Sequence, residues 1–102
     1  MNMIAIDDPV VAARLSIQRA LLGEVSAKLR AVTFSVSEIC LDIRFYFDGA
    51  INYDDLESAS CVETEVLADY EEEYKVTARC LRVDMPGSIE DSGVWVFRRR
   101  EN

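Results

Sequence analysis

The sequence of 102 residues contains no histidine. Ser-His-Asp and Cys-His nucleophiles, histidine general bases and histidine-ligated metal sites are therefore excluded, because each needs an imidazole. The glycine-rich phosphate loops and the calcium-loop pattern are also missing, and the four glycines lie near predicted turns. We therefore expect a protein that is not an enzyme and that binds no cofactor and no metal.

Cysteine is sparse and unpatterned. Cys40, Cys61 and Cys80 are odd in number and show no C-x-x-C spacing, which favours reduced thiols over disulfides or a zinc site. No apolar run approaches the roughly 20 residues that cross a bilayer, and Met1 to Ile4 lack the basic start of a signal peptide. We expect a cytoplasmic protein that does not contact a membrane.

Basic residues are the next scarce class, because 11 Lys and Arg stand against 19 Asp and Glu, for a net charge of −8. This balance argues against direct nucleic-acid binding, which relies on basic side chains that neutralise phosphates. The acids concentrate between Asp42 and Glu73, where Arg44 is the only basic residue. A binding surface for a basic protein is the interpretation we favour, and a merely solvated face is the alternative.

Length and an even spread of apolar residues predict one domain spanning residues 1–102. Asp8 as N-cap and Pro9 at the first helical position predict a helix that ends near Gly23. We expect its core-facing stripe to contain Val11, Leu15, Ile17, Gln18, Leu21 and Leu22.

A second helix is predicted from Asn52 to about Asp69, with Asp55 completing a capping box. Its apolar stripe comprises Leu56, Ala59, Val62, Val66, Leu67 and Tyr70, while the other side is strongly anionic. Glu63 falls within the apolar stripe, where an unpaired carboxylate is costly. It either reaches solvent at the edge of the core or pairs with a basic side chain such as Arg44.

Alternation with a period of two predicts a hairpin from Leu29 to Phe47, and Val94 to Phe97 form a last strand. Between them, Tyr74 to Val83 alternate with a slip in phase, which indicates a bulge or a strand covered on both faces. The α-β-β-α-β-β order predicts a two-layer α+β fold with a largely antiparallel four-stranded sheet and two helices. Either one helix covers each face, or the face with Tyr46, Trp95 and Phe97 is an interface.

Three stretches carry a resemblance to a known family: RALLGEVSAKLRAV from Arg19, IRFYFDGAINYDDLESASCVETEVLADY from Ile43 and DSGVWVFRRRE from Asp91. They resemble small immunity proteins of bacterial polymorphic-toxin and contact-dependent growth-inhibition systems. The resemblance implies a cytoplasmic antitoxin that binds a cognate toxin domain, often a basic nuclease, and blocks its active site or substrate groove.

On this hypothesis the toxin-facing surface is the second helix with its flanking turns. It comprises Asp48, Tyr53, Asp54, Asp55, Glu57, Glu65, Asp69, Glu71 and Glu72. The alternative function is a homo-oligomeric interaction module, such as a homodimer, that uses the aromatic sheet face. A small carboxylate enzyme would need a concave pocket in which Glu63, Asp42 and Arg44 converge.

Overall fold

Two helices and four strands follow one another in the computed structural model, which describes residues 8–101. They are α1 (Pro9–Ala20), β1 (Leu29–Ser37), β2 (Cys40–Phe47), α2 (Tyr53–Leu67), β3 (Lys75–Arg82) and β4 (Val94–Arg98). The predicted α+β class and element order are confirmed. Met1 to Asp7, which include the start examined for a signal peptide, and Asn102 lie outside the described residues.

Both helices begin at the predicted caps. The Asp8 carboxylate accepts hydrogen bonds from the backbone N–H groups of Val10 and Val11, and Pro9 stands in the first turn. At α2, the Asn52 side chain accepts from the N–H of Asp55 while the Asp55 carboxylate accepts from the N–H of Asn52. These bonds satisfy N–H groups that have no partner inside a helix, so short polar residues set where each helix starts.

The sheet has the strand order β3-β2-β1-β4. β1 pairs antiparallel with β2 and β4, whereas β2 pairs parallel with β3, so the sheet is largely antiparallel but mixed. The parallel pair needs a crossover connection, which α2 supplies. The register between β2 and β3 is unbroken, so the predicted bulge is wrong. Cys80 and Leu81, which point to opposite faces, are both half-buried, in line with the other interpretation.

Both helices pack against one face of the sheet. Their buried side chains join the inward residues of the two central strands in a single core, whose largest members include Ile17, Phe34, Leu41, Ile43 and Phe45. From α2, Ala59, Val62 and Val66 are buried as expected, but Leu56 and Leu67 are exposed.

The stripe predicted for α1 is wrong in part. Ile17 and Leu21 are buried, but Val11, Leu15 and Leu22 are exposed. The side of α1 that faces the sheet is completed by the small residues Ala13, Ser16 and Ala20. Small side chains let a helix approach its neighbours closely, and the larger aliphatic residues on the opposite side are left facing solvent.

The second face of the sheet is covered in its centre by the loop that joins β3 to β4. Asp91 in this loop accepts a hydrogen bond from the hydroxyl of Tyr46, which is buried. The loop lies so close that a Cβ at Gly93 would stand 2.6 Å from the Phe34 carbonyl oxygen and would collide with the Arg44 guanidinium. This face is therefore covered by a loop and not by a helix. It is also not an open aromatic face, because Tyr46 is buried and Phe97 packs against the core on the helix side.

Candidate functional site

The exposed side of α2 carries Asp54, Glu57 and Glu65. Their spacing along a helix of about 3.6 residues per turn places all three on one side. Among the described residues, the ion pairs all involve carboxylates other than these three, so none of the three is paired with a basic side chain there. No Lys or Arg occurs between Arg44 and Lys75, so the negative charge of this side is not offset from its own segment.

A fourth carboxylate joins this group from the turn that follows α1. Burial raises the pKa of the Cys61 thiol on α2, and the charges of Glu24, Glu57 and Glu65 raise it further. Glu24 therefore lies close to the acidic side of α2. We define the acidic patch as Glu24, Asp54, Glu57 and Glu65; Glu24 was not predicted, because only the packing of α1 beside α2 brings it there.

Tyr53, Glu71 and Glu72, which were predicted to belong to the same surface, are also exposed. Tyr53 is the first residue of α2 and is 73% exposed, so its ring is available at one end of the acidic patch. Glu71 and Glu72 lie in the turn that follows α2. The described structure therefore leaves an aromatic side chain and further carboxylates accessible at the two ends of the helix.

Three other predicted residues bind within the chain instead. The Asp55 side chain is 6% exposed and accepts a hydrogen bond from Lys28 Nζ at 2.7 Å. Asp48 accepts from Arg99 and from the N–H of Met85, and Asp69 forms an ion pair with Arg19 and accepts from Ser16. These contacts hold elements of the fold together, so we leave Asp48, Asp55 and Asp69 out of the acidic patch.

The second face of the sheet carries a cluster centred on Asp91, whose side chain is 3% exposed. Its carboxylate accepts from Thr33 at 2.5 Å, from Arg44 Nε at 2.8 Å and from Tyr46 at 2.6 Å. Burial by itself raises the pKa of Asp91, but these hydrogen bonds outweigh it and hold the pKa well below its usual range. The charge of Asp91 is therefore neutralised inside the fold and fastens the loop to the sheet.

Two arginines of the basic run Arg98 to Arg100 are bound within the chain. The Arg98 guanidinium lies 5.3 Å from the centre of the Trp95 ring, at a distance typical of a cation–π contact. Arg99 pairs with Asp48 and Glu101 and donates to the carbonyl of Ala27. The contacts of Arg99 hold the residue after β4 against the turn before β1 and the turn after β2.

Carboxylates bound to arginine set the pH dependence of stability. The hydrogen bond from Arg30 lowers the pKa of Glu101 to about 2, and the pKa of Asp91 is also depressed. Such a group stabilises the fold above its unfolded pKa, and the contribution is lost as the pH falls through the folded pKa. We expect the urea midpoint to fall below about pH 4 and to stay level between about pH 7 and 5, where this chain has no histidine to titrate. A fall in the urea midpoint between about pH 7 and pH 5 would contradict this expectation.

The groups needed for a carboxylate enzyme do not converge. Glu63 of α2 accepts a hydrogen bond from the N–H of Ala78 in edge strand β3 at 2.7 Å, so it lies at the margin of the core. Asp42 and Arg44 pair with each other and bind Arg79 and Asp91, respectively. Within residues 8–101, no three cysteine or carboxylate side chains are grouped so that they could hold a metal ion.

A pocket of about 450 Å³ lies between the β3–β4 loop and the end of β4. Its lining includes Arg30, Trp95, Arg98, Glu101 and the loop from Met85 to Glu90. Arg30 binds Glu101 and donates to the carbonyls of Val83 and Gly87, so its donors already have partners inside the chain. Arg30 therefore holds the start of the β3–β4 loop in place at this pocket.

Comparison with known families places the chain among the immunity proteins of bacterial toxin systems. The match covers residues 11–101, which is all of the fold except the start of α1. The chain belongs to the MafI2 immunity protein family. The predicted resemblance to immunity proteins is confirmed, but its link to contact-dependent growth inhibition is not, because the MafI proteins belong to a different toxin system. No curated protein matches the chain.

No helix in the described residues is long and apolar enough to span a membrane.

Proposed function

We propose that the chain neutralises its cognate toxin by binding a basic, nuclease-type toxin domain in the cytoplasm with the acidic patch. One observation carries this proposal: the patch gathers Glu24 from the turn after α1 with Asp54, Glu57 and Glu65 from α2, while much of the basic charge is paired elsewhere. Family membership supplies the antitoxin role, and the charge of the surface indicates the kind of partner.

Complementary charge supports binding to such a toxin domain. A groove that binds nucleic acid is lined by Lys and Arg, so a convex row of carboxylates can occupy it in place of phosphates. Opposite charges also steer two proteins together and raise the association rate, by about 10-fold or more at low salt. Tyr53 adds an exposed aromatic side chain at the start of α2, of the type that often anchors protein interfaces.

Charge reversal tests this surface. Changing Glu57 and Glu65 together to lysine should slow association with the purified toxin domain by about 10- to 100-fold at low salt. It should also weaken the dependence of the rate on salt, since the steering charges are reversed. Surface plasmon resonance at several salt concentrations measures both effects.

The matched control reverses Glu38 and Glu90, which are exposed in the β1–β2 turn and in the β3–β4 loop. It alters the net charge by the same amount at places away from α2. Equal slowing by both pairs would mean that net charge alone controls association and that the acidic patch has no special part. Unchanged kinetics in the α2 pair would place the binding surface elsewhere.

The alternative function, self-association through the aromatic sheet face, finds less support. Tyr46 is buried beneath the β3–β4 loop, and Phe97 packs against the core on the helix side of the sheet. Trp95 remains half-buried beside Arg98. Light scattering on the isolated chain distinguishes the two functions, because a stable dimer that is lost on changing Trp95 would favour this alternative.

A further inference from the structure

An apolar ridge borders the acidic patch. We define the ridge as Leu15 on α1 together with Leu22 and Val25 in the connection that follows it; these side chains are 46%, 77% and 45% exposed, respectively. Leu15 lies on the side of α1 opposite the buried Ala13 and Ala20, and Leu22 follows in the turn that ends the helix. Gly23, with a φ of 84°, lets the chain turn directly after Leu22.

The ridge and the acidic patch are parts of one surface. Glu24 stands between Leu22 and Val25 in the sequence, and its charge reaches Cys61 between Glu57 and Glu65 on α2. At the other end of the contact between the helices, Arg19 of α1 pairs with Asp69 just beyond α2. Leu22 and Val25 of the ridge therefore flank Glu24, a carboxylate of the acidic patch, in the same turn.

We infer that the apolar ridge is the anchor that holds the toxin domain, and that it fills an apolar hollow next to the basic groove of the toxin. This inference rests on the proposed function. Charge complementarity alone speeds encounter, whereas the slow dissociation of a tight complex needs apolar side chains that lose their contact with water. A second copy of the chain is a poor occupant, because it would bring two acidic patches into repulsive contact.

The test replaces Leu22 and Val25 together by alanine in the full chain. Both side chains are exposed, so the fold should be unaffected, and the urea midpoint verifies this. We expect dissociation of the purified toxin domain to become about 10- to 100-fold faster, with association and its salt dependence unchanged. The matched control is Ile39→Ala, which removes an exposed aliphatic side chain in the β1–β2 turn and should leave both rates unchanged.

The charge-reversal and alanine variants together distinguish a failure of this inference from a failure of the proposed function. If reversing Glu57 and Glu65 slows association but the Leu22 and Val25 variant dissociates normally, the ridge is not the anchor and the proposed function stands. If the unaltered chain does not bind the toxin domain, both fail together. If light scattering finds a dimer of the isolated chain that the alanine variant abolishes, the ridge binds a second copy and the inference is overturned.

Discussion

Replacing Asp91 by asparagine is expected to lower the free energy of unfolding by about 3–5 kcal/mol. The side chain keeps its size but loses its charge, and Arg44, which is nearly buried, keeps only the more exposed Asp42 as a counter-charge. In either orientation the amide nitrogen of asparagine would also face groups that can only donate, which are Arg44 Nε at one oxygen position and Arg44 Nη2 with the Gly93 N–H at the other. A buried donor without an acceptor is costly, so the β3–β4 loop should separate from the sheet.

Urea unfolding monitored by the single tryptophan measures this effect. Trp95 is a suitable reporter, because its indole N–H donates to the backbone carbonyl of Asp91. The matched control is Asp42→Asn, which removes the other acidic partner of Arg44 at a site where the side chain is 35% exposed. We expect a loss of about 1 kcal/mol or less there, because solvent screens an exposed pair. Equal losses in the two variants would show that burial does not set the strength of this cluster.

Replacing Asp55 by alanine is expected to destabilise the fold by about 2–4 kcal/mol. The change removes the half of the capping box in which the carboxylate accepts from Asn52, and it leaves Lys28 without its acidic partner. Burial by itself raises the pKa of Asp55, but the hydrogen bonds from Lys28 and the Asn52 N–H and the charge of Lys28 together outweigh it and lower the pKa, so the carboxylate is charged at neutral pH. The loss therefore combines a helix cap with a buried charge-assisted hydrogen bond.

The neighbouring Asp54 provides the control, since it is a carboxylate one residue away whose side chain is exposed. Asp54→Ala should cost about 1 kcal/mol or less, because it removes only a favourable charge near the start of α2. In toxin binding the order of the two effects should be reversed. Asp54→Ala should slow association, whereas the folded fraction of Asp55→Ala should associate at the normal rate. Slower association of folded Asp55→Ala would return Asp55 to the binding surface.

These variants divide the carboxylates of the chain into two groups with different tasks. Asp42, Asp48, Asp55, Asp69, Asp84, Asp91 and Glu101 are engaged with basic side chains of the chain itself. The members of the acidic patch are the ones we assign to the partner. A net charge of −8 is therefore not spread evenly over the surface, and its effect on binding depends on which carboxylates remain free.

Local features of the fold were predictable from the sequence because each depends on residues that are close together in the chain. Asp8 with Pro9 and Asn52 with Asp55 mark helix starts through hydrogen bonds that span a few residues. The period-two alternation of the hairpin likewise follows from the geometry of a single strand. The exposed carboxylates of α2 were predicted for the same reason, since helical spacing alone separates Glu57 and Glu65 from Val62 and Val66.

The buried side of α1 could not be predicted from helical spacing. Apolar residues occur around most of its circumference, so its sequence is compatible with more than one buried side. The structure buries the side with Ala13 and Ala20, because close packing against the sheet and α2 favours small residues there. The expected core residues Leu15 and Leu22 are then left on the surface, where they form the apolar ridge with Val25.

The sequence by itself therefore determined the absence of histidine chemistry, the order of helices and strands, and the acidic character of α2. The tertiary structure alone decided that β3 lies parallel to β2, that Asp91 reaches Arg44, and that Glu24 joins Glu57 and Glu65. The physical reason is range: caps and periodicities arise from neighbours in the chain, whereas strand pairing, ion pairs and shared surfaces arise between segments that only packing brings together.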